Sequence, residues 1–503
     1  MTTTSDRPLQ LLKDRLATIS DVSAAEATLD WDRQTYMPEG GVEGRAEQLA
    51  TLRRLAHEIL VSKEMRSLLE DLDEPEPGSE DFALARLARR DFERAVRLPA
   101  ELVAELTRAS ALAQPAWERA RAASDWATFA PHLEKLMRLQ RETAEHLGYE
   151  DHPYDALLDL YEPGSTKARV QQMFEELKTL LVPMIHEIGA LPNEGRSRPL
   201  YGEFDEAKQE EFGRGVISDF GYDWGRGRLD RVVHPFCAPL GGPGDVRITA
   251  RFDRGWLSPA LFAILHEAGH ALYEQGVTPS YSRSPLSGGT SMGVHESQSR
   301  LWENLVGRSR AFWSFYYPRL KETFPEPLGE TDPETFYRAV NEARPSEIRV
   351  EADELTYNLH ILLRFELEVA LIEEDLSISD LPAAWDAKTE EYLDLTAENH
   401  AQGVLQDVHW AAGLVGYFPT YSIGNVLSAQ FFEAATKAHP EIPEMMGRGD
   451  FEALLGWMRA NVYRHGRRYY PDELVEMATG HPLDTKPYLR YLKSKFGELY
   501  ELT

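Results

Sequence analysis

The segment His266-Glu267-Ala268-Gly269-His270 carries two imidazoles four residues apart with a carboxylate between them. On a helix, residues with that spacing project from one face, so both rings can reach one ion while Glu267 stands beside them as a base. A catalytic zinc site takes three protein ligands and keeps a further position open to water, so a third ligand has to come from elsewhere. His295-Glu296 supplies it, after a loop rich in Ser and Gly that includes Gly288-Gly289. His295 competes for the role, but neighbours on a helix point about 100° apart, so one of the pair must face away. Glu296 is assigned as the ligand. The set His266, His270 and Glu296 with Glu267 is the layout of a metal hydrolase, in which a water made acidic by the metal gives its proton to the glutamate. A developing oxyanion needs a further donor, which must come from distant sequence.

Two helices have to position these groups. Ser258-Pro259 reads as an N-cap and first-turn proline and Gly276 as a stop, which predicts a helix from about Pro259 to Gln275. Leu261, Ile264, Leu265, Ala268 and Leu272 form its buried stripe. A second helix, antiparallel to the first, is expected from near Met292 to near Gly307, with Leu301, Trp302 and Leu305 on its packing side. Glu303 falls two turns after Glu296 on the same face, where it can orient a ligand histidine. The bland alternative is a pair of histidines satisfied by core hydrogen bonds. It would bury polar groups beside a glutamate without a purpose.

The chain has 503 residues, of which 42% are hydrophobic, enough for a packed globule. Lys+Arg 54 against Asp+Glu 83 gives a net charge of −29, which repels phosphate backbones and anionic lipid, so nucleic acid and membranes are not expected partners. A site that captures a carboxylate must then carry its own arginines or lysines. Cys237 is the single cysteine, so no intramolecular disulfide forms. Asp6, Arg7, Lys13, Asp14 and Arg15 leave no apolar core for a secretory signal. The apolar run at Leu359–Ile372 is short and broken by Arg364, Glu366 and Glu368. A cytoplasmic location is expected.

Most of the sequence reads at helical period, and the class is mainly α. Val170, Met173, Phe174, Leu177, Leu180 and Leu181 follow a Gly164-Ser165-Thr166 cap signal, and similar stripes run through 43–72, 80–146, 351–374 and 449–466. The interval 228–254 differs. Val232, Val233, Val246, Ile248 and Thr249 flank the turn signal Gly241-Gly242-Pro243-Gly244, predicting a small β-hairpin just ahead of the metal helix. Such an edge can hold an extended peptide by backbone hydrogen bonds, or the hairpin can be structural only. Asp71–Asp81 and Leu191–Leu200 read as surface loops, and residues 1–503 as one folding unit with two lobes about a cleft.

The chain resembles the carboxypeptidase Taq family of zinc metallocarboxypeptidases. The likeness is carried by His234-Pro235-Phe236, Asp245-x-Arg247-x-Thr249, the 266–270 motif, His295-Glu296-Ser297-Gln298, Ile348-Arg349-x-x-Ala352-Asp353 and Gly403-x-x-Gln406-Asp407-x-His409-Trp410, together with Leu29-Asp30-Trp31-Asp32 and Met37-Pro38-x-Gly40-Gly41. It spans nearly the whole chain. The resemblance implies a helical, two-lobed peptidase fold with a deep groove, similar to angiotensin-converting enzyme and the neurolysin-type oligopeptidases. It also implies removal of single C-terminal residues from peptides with broad specificity, sparing proline, and a homodimer. By the same match His266, His270 and Glu296 would be ligands and Glu267 the base.

A guanidinium fork captures a free α-carboxylate bidentately, which makes Arg349 the first candidate and Arg247 the second. Each has a structural alternative as an ion-pair partner, Arg349 for instance with Asp353 at i+4 on a helix. His409 and Tyr421 look like the His and Tyr pair that stabilises the oxyanion in related oligopeptidases, with Tyr417 the rival for the second role. His234 either lines the substrate strand or packs at the hairpin. The donor set accommodates zinc, cobalt or manganese. The nearest rival activity is an oligoendopeptidase with the same chemistry. An aminopeptidase lacks support, since no Gly-x-Met-Glu-Asn segment is present. A peptide-binding scaffold with structural zinc is disfavoured by three ligands without a thiolate beside an intact Glu267.

Overall fold

Short polar side chains at the starts of helices accept from the backbone N–H groups that have no intrahelical partner. Ser62 takes the Met65 amide, Asp125 that of Ala127, Thr166 that of Arg169, Asp205 that of Lys208 and Ser291 that of Val294. These caps cut the long apolar stripes into pieces. The 43–72 stripe becomes Val42–Leu60 and Lys63–Glu70, and the 80–146 stripe becomes Glu80–Arg97, Ala100–Ala123 and Trp126–Leu147. The 449–466 stripe becomes Glu452–Asn461 and a 3-10 turn at Tyr463–His465. In the Lys167–Gly189 helix, Val170, Met173, Phe174, Leu177 and Leu181 are buried as the period requires, and Leu180 lies half-buried at the edge of the stripe.

The computed structural model describes residues 6–192 and 195–502. Among the described residues helices dominate, with one three-stranded sheet. Among the described residues no helix is long and apolar enough to cross a membrane. The chain forms two compact units. One gathers residues through Val96 with Ser197–Val340 and Phe431–Pro482, and the other Arg97–Arg196, Asn341–Gln430 and the chain from Leu483 onward. The stretch Leu191–Leu200, whose residues 193 and 194 lie outside the described residues, holds one of the crossings and ends in a 3-10 turn at Arg198–Leu200.

The β region lies in the first unit. Strands β1 (Leu229–Arg231), β2 (Cys237–Pro239) and β3 (Val246–Ala250) form a sheet in the order β1-β3-β2, with β1 parallel and β2 antiparallel to β3. The β2–β3 hairpin turns through the glycine-rich segment, where the Leu240 amide bonds the Asp245 carbonyl at 2.8 Å. Val232 and Val233, expected as strand residues, follow β1 instead. Val232 donates one more amide to Ala250, and Val233 is 67% exposed, so it has no apolar face to occupy. β3 is central: Val246, Ile248 and Thr249 are fully buried, and the strand packs on the Leu257–Gly276 helix.

That helix starts earlier than its apparent cap. Trp256, in extended backbone, occupies the N-cap position without a side-chain hydrogen bond, and Ser258 lies inside the first turn. The reason is tertiary: Trp256 pairs with Tyr201 in an isolated antiparallel bridge and stacks on its ring at 5.5 Å, which fixes the chain just before the helix.

Candidate metal centre

Two helices of the first unit bring the site together. The first is Leu257–Gly276, and the second runs as α-helix over Met292–Arg300 and continues as a π-helical turn over Leu301–Val306 up to Gly307. They meet backbone to backbone at Gly269, where a Cβ would stand 2.5 Å from the Gln298 carbonyl oxygen and 2.6 Å from the Ser299 Cα. Only glycine allows that approach. Leu301, Trp302, Leu305 and Val306 are buried on the packing side. The wide π turn, a distortion often met at functional sites, carries Glu303.

His266 Nε2 and His270 Nε2 lie 3.5 and 3.4 Å from Glu296 Oε2, and the three groups offer ligand atoms all within 4.8 Å of one another. Donors that surround one zinc tetrahedrally at about 2.1 Å stand roughly 3.4 Å apart, so this set fits a divalent ion of that kind. The other edges of the groups are engaged. Glu303 Oε2 meets His266 Nδ1 at 2.9 Å, as the sequence spacing suggested. Glu296 Oε1 accepts from Arg300 Nε at 2.7 Å, leaving Oε2 turned to the histidines. His295, the rival ligand, points away: its Nδ1 lies 2.6 Å from His270 Nδ1 and its Nε2 2.8 Å from Glu274 Oε1.

The electrostatics divide the carboxyl groups. Burial raises Glu267 to about 7, with the Glu296 and Glu303 charges adding to the effect and His266 opposing it. Among the described residues its carboxyl oxygens have no hydrogen-bond partner. Burial acts the same way on Glu296, but Arg300, His266 and His270 outweigh it and hold this carboxyl well below its ordinary range. Glu303 is likewise brought down to about 2 by Arg300, His266 and Arg308 against its burial. Burial pushes His270 down to about 3, keeping its ring neutral, as a metal ligand requires. For His266, burial is outweighed by Glu296 and Glu303, which raise it.

The remaining candidates in the first unit are less engaged with the centre. Arg247, on β3, is held bidentately by Asp245 at 2.9 and 2.7 Å and lies over the Trp31 ring at 4.3 Å. His234 is exposed in the bend before β2.

Within the second unit, Arg349, His409 and Tyr421 belong to one cluster. Arg349 lies in a 3-10 turn and is 7% exposed. The i+4 pairing with Asp353 is absent, because Asp353 instead caps the following turn by accepting from the Leu355 and Thr356 amides. The partner of Arg349 is Asp407, with Nε at 2.9 Å and the second terminal nitrogen at 2.8 Å, while the first donates to the Tyr357 hydroxyl at 3.0 Å. Three of its five N–H groups are thereby engaged. Asp407 also receives the fully buried Arg364 at 2.6 Å. His409 Nε2 meets the Tyr421 hydroxyl at 3.1 Å, and Tyr417 contacts the same ring at 5.6 Å between centroids. Burial brings His409 down to about 4. Glu368 fastens the segment that carries this pair, accepting from Trp410 Nε1 at 2.9 Å, the Gly416 amide at 3.1 Å and the Tyr154 hydroxyl at 2.7 Å.

Sequence reasoning assigned no role to Glu274, Arg300, Arg364, Asp407 or Glu368. Glu274 follows His270 by four residues on the metal helix, and Arg300 follows Glu296 by four, so helical spacing was available as a signal for both. For Arg364 and Glu368 the signal was charge inside an apolar helix, where burial demands partners.

Hydrolysis of a stable bond by an acidified water requires an open-sided set of ligands and an unengaged base, and on this helical scaffold the two together define a metal-dependent hydrolase. The chain belongs to the carboxypeptidase Taq (M32) metallopeptidase family, whose model matches residues 11–496. It is 40% identical over 491 residues to carboxypeptidase 1 of Bacillus subtilis (strain 168), covering 97% of this chain and 98% of that one. It is 42% identical over 483 residues to thermostable carboxypeptidase 1 of Thermus thermophilus, covering 93% and 94%. The M32 carboxypeptidase crystal structure from Deinococcus radiodurans R1 superposes with a TM-score of 0.95 at 45% identity, over 99% of this chain and 100% of that one. The protein is a metallocarboxypeptidase, a peptide hydrolase that depends on a divalent metal.

Proposed function

We propose that the enzyme removes amino acids one at a time from the C-termini of peptides, with broad specificity that spares proline, using zinc held by His266, His270 and Glu296. Cobalt or manganese suits the same donors. The observation that carries this reading is the convergence of two Nε2 atoms and one carboxyl oxygen at 3.4–3.5 Å beside the unengaged Glu267. A divalent ion held by His266, His270 and Glu296 would supply Lewis acidity toward a water and the scissile carbonyl. Glu267 accepts the water's proton at its carboxyl group and passes it to the leaving nitrogen, a task suited by a carboxyl already raised to about 7.

In this reading Arg349 receives the α-carboxylate of the substrate through its two remaining N–H groups, with Arg247 and His234 as further substrate contacts. His409 and Tyr421 donate to the oxyanion, and the neutral His409 ring beside the Tyr421 hydroxyl supports that role. Kinship with angiotensin-converting enzyme and the neurolysin-type oligopeptidases, with a groove that admits extended chains, belongs to the same proposal. So do a homodimeric state and a cytoplasmic location. The family relatives are carboxypeptidases, which disfavours the oligoendopeptidase alternative.

The test is digestion of one peptide as free acid and as C-terminal amide, followed by mass spectrometry with and without chelator. A chelator-sensitive ladder shortened one residue at a time from the free acid alone is expected. Equal cleavage of both forms would defeat the carboxylate-capture assignment.

A further inference from the structure

The two ligand histidines are held at their Nδ1 atoms in different ways. His266 meets a carboxyl group directly, at Glu303. His270 meets another imidazole, His295, at 2.6 Å between Nδ1 atoms, and the carboxyl group of Glu274 comes one step further out, 2.8 Å from His295 Nε2. Two ring nitrogens that close share one proton, so one donates and the other accepts. A histidine that ligates through Nε2 while neutral carries its proton on Nδ1. His270 therefore donates to His295 Nδ1, His295 carries its own proton on Nε2, and that proton is donated to Glu274 Oε1. Each link has one donor and one acceptor, and a single tautomer satisfies all of them.

The surroundings hold the chain of rings in place. Glu274 is 3% exposed and also accepts from the Gly289 amide at 3.3 Å. A side chain at Gly289 would stand 2.6 Å from His295 Cδ2, so the glycine loop closes directly on this ring. On another side the His295 ring leans on Tyr273 at 5.5 Å between centroids.

We infer that His295 and Glu274 are positioning residues for the metal centre: a buried Glu274–His295–His270 relay that fixes the tautomer and ring orientation of His270. The inference rests on His270 being a ligand, and its test separates the two. Outer-shell partners of this kind change metal affinity about 10–100-fold when removed. His295→Phe keeps the ring and its packing while deleting both nitrogens. Glu274→Leu removes the acceptor at similar volume. Glu274→Gln keeps an acceptor.

Metal dissociation constants are measured by competition with a chromogenic chelator, alongside the visible spectrum of the cobalt-substituted enzyme. His270→Ala is the control, expected to abolish tight binding. If it does not, the ligand assignment fails and the relay with it. Given that control, His295→Phe and Glu274→Leu should each weaken binding about 10–100-fold and alter the cobalt spectrum. The double variant should be no worse than His295→Phe, and Glu274→Gln should recover most of the loss. Parental affinity and spectrum in Glu274→Leu, or losses that multiply in the double variant, overturn the relay even where His295→Phe does not fold.

Discussion

Asp407 pairs with both Arg349 and Arg364, the one carboxylate they share among the described residues, and its replacement by asparagine has a cost that can be estimated from the geometry. One carboxylate oxygen accepts from Arg349 Nε at 2.9 Å and the other from Arg364 Nε at 2.6 Å. Arg349 and Arg364 are 7% and 0% exposed, which leaves little room for water to replace the lost partner. Burial brings Arg364 down to about 10 although Asp407 opposes it, and the Arg349 charge acts in the same direction as burial. Asp407→Asn leaves two buried cations facing each other and turns an amide donor toward one of them. Breaking a buried pair by removing one member costs about 3–5 kcal/mol. Urea unfolding followed by tryptophan fluorescence reports on this region, since Arg364 sits 4.5 Å over the Trp385 ring. The expected loss is about 4 kcal/mol, and Arg364→Met in the same chain should restore part of it, because the mutual repulsion is gone. Stability of Asp407→Asn within about 1 kcal/mol of the parent would refute the account of this cluster.

Three further outcomes follow from the site. Glu267→Gln should keep its metal, measured by elemental analysis, and lose turnover by orders of magnitude; unchanged turnover removes Glu267 as the base. Gly269→Ala should push the two ligand helices apart and lower metal affinity, read by chelator competition, because the added carbon meets backbone at 2.5 Å; parental affinity contradicts the close approach. Burial raises Glu368 from 4.5 to about 7, so its contribution to stability is full below about pH 4.5 and is lost as the pH rises through 7. Glu368→Gln should flatten the stability profile by about 3 kcal/mol between those limits, and identical profiles for the two chains would contradict the shift.

The chemistry of the metal centre was written locally in the sequence. Helical spacing alone puts His266 and His270 on one face with Glu267 beside them, and it puts Glu296 and Glu303 on one face of the second helix while leaving His295 and Glu296 as rivals for the ion. The predominance of helix and a hairpin turning at Gly241–Gly244 were legible for the same reason, since period and turn residues act over a few positions, although its first strand is Cys237–Pro239 and not the Val232-Val233 segment. What distant contacts decide was not legible. Trp256 replaced Ser258 at the helix start because Tyr201 pairs with it. Arg349 took Asp407 instead of Asp353 because the chain brings a carboxylate from far along the sequence to a buried guanidinium. His295 became a partner of His270 because Gly269 lets the two helices touch. Local rules fix which face of an element a side chain occupies, but which face meets it depends on packing, and only the folded chain brings those partners together.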